Sequence, residues 1–205
     1  MKINDLKGKF IAIDGPNGVG KSTLLAGVKS KLEELGYEVY FTKEPSETQL
    51  GNYTREYAEN HGGLELACLV AANRYEHLSI EIIPNLENGK IVVSDRYLLS
   101  SLILQRMDGV SEEFILSVNH DVILPDLQIT ICADEDIIQK RLSERSILTR
   151  FEEGNQTLKE LNYMKLGVQT LIKIGVNVLS VVNNDRPDVN IETIVNHIIN
   201  LKEKQ

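Results

Sequence analysis

The chain has 205 residues, a formal net charge of −8, 42% hydrophobic residues and 25% charged ones. Those proportions suit one soluble α/β domain with a sizeable core. The negative balance excludes a general nucleic-acid or membrane-surface binder, because both need a positive face.

No apolar run approaches the roughly 18 residues of a membrane span. The opening MKINDLKGKF has no signal-like apolar core, so a cytoplasmic location is expected. Cys68 and Cys132 each sit in an apolar run, form no C-x-x-C pair and read as buried thiols. His61, His77, His120 and His197 show no metal-ligand spacing.

In chain order, KFIAID (Lys9 to Asp14) reads as a buried strand. From Lys21, the residues Leu24, Leu25, Val28, Leu32 and Leu35 follow a helical period that Gly36 caps. EVYFT (Glu38 to Thr42) is a second strand, broken by EPSET. A long helical region runs from about Leu64 to Leu86, with Pro84 bending or ending it. KIVVSD (Lys90 to Asp95) is a third strand, and Leu98 to Arg106 a helix. Ser111 with Glu112 and Glu113 opens a short helix. LQITIC (Leu127 to Cys132) is a fourth strand, and Asp134, Glu135 and Asp136 head a helix carrying Ile137, Ile138 and Leu142. VNVLSVV (Val176 to Val182) is a fifth strand, and Pro187 to Lys202 a last helix. Apolar strands alternating with helices imply a parallel sheet covered on both faces. No repeat, low-complexity tract or linker divides residues 1–205, so a single domain is expected.

Between the first strand and the first helix, Gly15-Pro16-Asn17-Gly18-Val19-Gly20-Lys21-Ser22 fits G-x-x-x-x-G-K-[ST] in the strand–loop–helix context the motif requires. Glycines let successive backbone N–H groups turn toward phosphate oxygens, and the helix start adds about half an elementary charge. Lys21 is placed to bridge the outer phosphates of a nucleoside triphosphate and the Ser22 hydroxyl to ligate Mg2+, with Thr23 following. At the end of the third strand, VVSDRY puts Asp95 beside the metal and Arg96 at the phosphates. A surface Asp–Arg pair is the competing explanation. No N-K-x-D guanine-reading segment is present, and a small kinase fits the length. Lys140, Arg141, Arg145 and Arg150, in KRLSERSILTRFEE, form the dense basic cluster of an acidic chain, as a lid over phosphates or as a solvated helix face.

The ordered set IDGPNGVGKST, TKEPSET with LGNYTR, ANRYEH, NGKIVVSDRYLLSS, PDLQITI and RFEE resembles the thymidylate kinase family. The resemblance implies a P-loop kinase fold, a five-stranded parallel sheet flanked by helices on both faces, with a small lid at about 141–153. It implies phosphorylation of a nucleoside monophosphate, dTMP to dTDP, by ATP with Mg2+, and a homodimer. It places Asp14 at the acceptor's sugar, Glu44 and Pro45 near the acceptor, and Arg74 at its base. Ser101 and Gln105 match positions beside that base, on one helical face with Leu104. Arg145 and Arg150 fall where lid arginines close over the phosphoryl group, and Arg141 where one lies against the donor adenine. Three positions depart from the family pattern. Lys43 stands for an arginine, Val70 for an aromatic that stacks on thymine, and Leu104 for an aromatic under the sugar that disfavours a 2′-hydroxyl. Two further readings stand beside it: a kinase for a deoxynucleoside, whose alcohol acceptor would need Glu44 as base, or for another monophosphate; and, favoured by those departures, an ATP-binding regulatory module without turnover.

Overall fold

The computed structural model describes residues 1–143 and 156–203. Five strands form: β1 (Lys9–Asp14), β2 (Val39–Lys43), β3 (Ile91–Asp95), β4 (Leu127–Cys132) and β5 (Val178–Val182). Among the described residues they alternate with helices α1 (Lys21–Glu34), α2 (Gln49–Ala58), α3 (Gly63–His77), α4 (Ile83–Glu87), α5 (Leu98–Met107), α6 (Glu112–Val118), α7 (Glu135–Ser143), α8 (Thr157–Lys173) and α9 (Pro187–Glu203). All strand pairs are parallel, in the order β2-β3-β1-β4-β5. Side chains alternate across β1, so Phe10 and Ala12 enter one core while Ile11 and Ile13 enter the other. The first core is closed by α3, α5 and α8 through residues such as Ala67, Leu99, Leu102 and Leu171. The second is closed by α1 and α9, through Leu24, Val28, Leu32, Ile194, Val195 and Ile198.

The expected strands and the P-loop helix form. Gly36 takes φ 80° just after α1, and its N–H and that of Tyr37 return to Glu33 and Leu32. Ser111 caps α6 by accepting from the Phe114 N–H at 3.2 Å. The long helical region is divided into α3, a π-helical turn over Leu78–Ile82 and α4. The wide turn ends two residues before Pro84, which falls in the first turn of α4, where its missing N–H and ring are tolerated.

Two helices carry no hydrophobic period in the sequence reading. The buried face of α2 consists of Gly51 and Thr54 rather than apolar side chains. A Cβ on Gly51 would lie 2.1 Å from the Ser46 carbonyl oxygen, so α2 is held by close backbone approach. In α8 the apolar stripe is broken by Gly167, where a Cβ would come within 2.7 Å of Leu99 on α5. Its position follows from packing on α5 more than from local pattern. The cysteine expectation needs correcting: Cys68 is exposed and Cys132 half-buried. Helix α3 turns Leu66, Ala67, Ala71 and Arg74 inward, and Cys68 falls off that face.

The connection after β1 runs outward to β2, and the one after β3 returns across β1 to β4. A crevice therefore opens at the carboxyl ends of β1 and β3.

Candidate active site

The loop from Gly15 to Ser22 occupies that crevice. Gly15 passes so close to β4 that a Cβ would lie 2.3 Å from the Ile131 carbonyl oxygen. Gly20, the residue before α1, holds φ 84° and would bring a Cβ within 2.6 Å of the Asn183 amide. Only a residue without a side chain fits either place. Val19 is buried in the core, and its carbonyl accepts from Asn183 Nδ2 at 2.7 Å, so the β5–α9 connection fixes the loop from behind. Ser22 and Thr23 are exposed at the helix start. Lys21 Nζ lies 2.6 Å from Asp95 Oδ1. Burial, followed by the positive charge of Arg96, holds the Lys21 amine below its usual value of 10.5, while Asp95 acts in the opposite direction.

Arg96 sits at φ 72°, a left-handed conformation rare for a residue with a side chain. Its N–H donates to the Ile13 carbonyl at 2.8 Å, and its own carbonyl accepts from Ser94 Oγ at 2.7 Å. Held there, its guanidinium reaches Asn17 Oδ1 of the loop at 2.9 Å and Ser100 Oγ at 3.3 Å. Asp14 is fully buried one layer below. It accepts from Ser100 Oγ and, at 3.0 Å, from Gln128 Nε2. Burial raises its carboxyl above the usual 3.8, against the hydrogen bonds that favour the charged form. Ser100, not Asp14, faces the adjoining cavity.

That cavity has a volume of about 300 Å3. Of the residues expected at an acceptor, Glu44, Pro45, Val70, Arg74, Ser101, Leu104 and Gln105 all line it, together with Asn17 and Arg96. The Glu44–Pro45 bond is cis. Arg74 is 1% exposed and its guanidinium is almost fully engaged. Nε and Nη2 donate to Glu44 Oε2 at 2.9 and 2.7 Å, and Nη1 donates to Asn119 Oδ1 at 2.7 Å. Nη2 also meets the Tyr97 carbonyl at 3.1 Å and Ser101 Oγ at 3.0 Å. Of its five N–H donors, one on Nη1 has no partner among the described residues. Gln105 is 4% exposed, and its Oε1 has no hydrogen-bond partner among the described residues. Lys43 does not line the cavity and pairs with Glu47 at 2.6 Å in a separate groove at the β2 edge.

On the far side of the loop, Arg141 donates to the carbonyls of Asn183 at 3.0 Å and Asn184 at 2.7 Å, and reaches Gly18 O at 3.5 Å. It ties α7 to the loop and to the β5–α9 connection. Arg145 and Arg150 lie outside the described residues.

Two residues of this site were missed in the sequence. Arg55 lines the cavity from α2 and donates to the Pro45 carbonyl at 2.6 Å. Its signal was present in LGNYTR, but no helical period pointed to it. Asn119, at the end of α6, orients Arg74, and a helix-terminal asparagine carries no sequence mark of that task.

A sequence model described as thymidylate kinase matches residues 13–194 of the chain. A thymidylate kinase of Caldicellulosiruptor saccharolyticus is 41% identical over 145 residues, covering 67% of this chain and 70% of that protein. A probable thymidylate kinase of Thermococcus onnurineus is 35% identical over 193 residues, covering 88% and 94%. One of Caldivirga maquilingensis is 37% identical over 161 residues, covering 77% and 78%.

Proposed function

The chain belongs to the thymidylate kinase family, and from that premise we propose that it moves the terminal phosphoryl group of ATP onto the phosphate of dTMP, giving ADP and dTDP. One observation carries the assignment to these residues. Arg96 is hydrogen-bonded to Asn17 of the phosphate loop and at the same time lines the 300 Å3 cavity, so donor and acceptor spaces meet at one guanidinium. The backbone N–H groups of residues 17–22 hold the donor phosphates, and Lys21 and Arg96 balance charge on the group in transit. Arg55, which also lines the cavity, is a second cation for the acceptor phosphate. The lid residues Arg145 and Arg150 add further charge on closing, and Arg141 borders the adenine. No general base is needed, because a phosphate acceptor is already anionic.

The spare N–H of Arg74 and the unpaired Oε1 of Gln105 offer one donor and one acceptor. That pair matches the C4 carbonyl and N3–H of thymine. Glu44 is consumed by Arg74 and faces His77 as well, which weighs against its service as the base of a nucleoside kinase. The hard oxygen donors Ser22 Oγ and Asp95 fit Mg2+, which takes few protein ligands and completes its shell with phosphate and water. When bound, the ion neutralises phosphate charge.

In this reading residues 1–205 act as one kinase domain with a lid at about 141–153, in the cytoplasm. The working unit is a homodimer, consistent with Leu64, Tyr75 and Ile80, which leave apolar surface exposed along α3 and the turn after it. Light scattering in solution checks that state. The assay for the reaction is ADP release with a panel of monophosphates and thymidine. Turnover with dTMP above the other acceptors is expected. Turnover with thymidine alone, or ATP binding with no turnover on any acceptor, overturns the proposal.

A further inference from the structure

His77, the last residue of α3, is fully buried behind the cavity without lining it. Its Nε2 lies 2.7 Å from Thr42 Oγ1. That hydroxyl has one proton and gives it to Glu81 Oε2, also at 2.7 Å. Toward the ring Thr42 can therefore only accept, and Nε2 is the donor. Across the ring, Nδ1 lies 3.4 Å from Glu44 Oε1. A carboxylate offers lone pairs alone, so this edge of the ring faces an acceptor. The other oxygen of Glu44 is the one that takes both N–H groups of Arg74. The charged and titratable groups around the ring are Glu44 after β2, Glu81 from the π-helical turn at 3.5 Å, Arg74 one turn earlier on α3, and Tyr40 on β2, which donates to Glu81 at 3.1 Å.

We propose that His77 is a positioning residue for the nucleotide acceptor. Set between Thr42 and Glu44, the ring braces Glu44 against the β2 edge, and Glu44 in turn sets the plane of the Arg74 guanidinium at the cavity wall. The sequence Thr42–His77–Glu44–Arg74 is a strut running from the edge strand to the base-reading end of the cavity. Without it Glu44 can rotate about its side chain, and Arg74 keeps its charge but loses its aim. The inference rests on the cavity being the acceptor site.

The test compares steady-state kinetics and calorimetric dTMP binding for the wild type, His77→Phe and His77→Asn. Phe keeps the ring and removes both nitrogens, while the Asn amide nitrogen stands where Nδ1 does. His77→Phe is expected to raise the KM for dTMP roughly tenfold, the worth of about one hydrogen bond to a charged group, with the KM for ATP changed less than about twofold. His77→Asn is expected to recover at least half of that loss on a logarithmic scale. In a Glu44→Gln background His77→Phe is expected to add less than about twofold, because the two act in series. A dTMP KM unchanged in folded His77→Phe, equal losses for ATP and dTMP, or no recovery in His77→Asn overturns the proposal. If His77→Phe fails to fold, Thr42→Val is read instead: it removes the outer acceptor of the strut, and an unchanged dTMP KM there overturns the proposal equally. Failure of the wild type to bind dTMP overturns the acceptor reading itself. Wild-type binding that His77→Phe leaves unaltered overturns only the strut.

Discussion

Replacing Glu44 by Gln tests the buried centre of the site. Glu44 and Arg74 have side chains 5% and 1% exposed and are joined by two N–H···O bonds of 2.9 and 2.7 Å. The substitution keeps the shape and one acceptor oxygen but leaves the guanidinium charge buried without its counter-charge. Removing one partner of such a pair typically costs about 3–5 kcal/mol. The retained oxygen, with Asn119, the Tyr97 carbonyl and Ser101 still in place, brings the expectation to about 2–3 kcal/mol. In a chain of this size that corresponds to a melting temperature lower by roughly 4–12 °C. Differential scanning calorimetry at neutral pH measures it. Adding Arg74→Met, which removes the orphaned charge, is expected to return part of the loss, because a neutral pair of similar volume packs without a desolvation penalty. A shift under about 2 °C for Glu44→Gln, or a double variant less stable than the single one, would refute the reasoning.

Arg96→Ala is expected to lower kcat on the order of 10³-fold with little change in the melting temperature, as loss of a cation at a transferring phosphoryl group does; steady-state kinetics with dTMP checks it. Gln105→Leu removes the unpaired acceptor and is expected to raise the KM for dTMP roughly tenfold, read in the same assay. Leu104→Tyr places a ring where Leu104 lines the cavity and is expected to raise the preference for dTMP over its ribose counterpart about tenfold or more, measured as a ratio of kcat/KM. For Asp14, whose folded carboxyl is raised above the usual 3.8 by burial, the native state holds its proton longer than the unfolded chain. Its contribution to stability therefore declines as pH rises from about 3.8 through the raised value. Asp14→Asn is expected to be more stable than wild type at pH 7 and to lose that advantage toward pH 4, in denaturant titrations across that range.

Much of the fold is legible in the sequence because its elements carry strong local patterns. The apolar runs ending in Asp14, Asp95 and Cys132 read as doubly covered strands, and Gly15 to Ser22 announces its own chemistry. What stays hidden is set by contacts between distant segments. Helix α2 buries Gly51 and Thr54, so no hydrophobic stripe marks it, although it brings Arg55 to the cavity. In α8 the stripe is interrupted at Gly167, where α5 comes too close for a side chain. The partners of Arg74 come from positions 44, 97, 101 and 119, a gathering fixed by strand order rather than spacing. The donors that hold Asp14, Ser100 and Gln128, likewise come from far along the chain.

The central claim is that the phosphate loop and the 300 Å3 cavity are two halves of one site joined at Arg96. Calorimetry with a single molecule linking adenosine and thymidine through a chain of phosphates tests it directly. One molecule should bind per chain, at least about a hundredfold tighter than ATP or dTMP alone, because the second half binds at high effective concentration. Saturating dTMP and saturating ATP should each displace it. Binding no tighter than either nucleotide, or displacement by ATP but not by dTMP, would contradict the account.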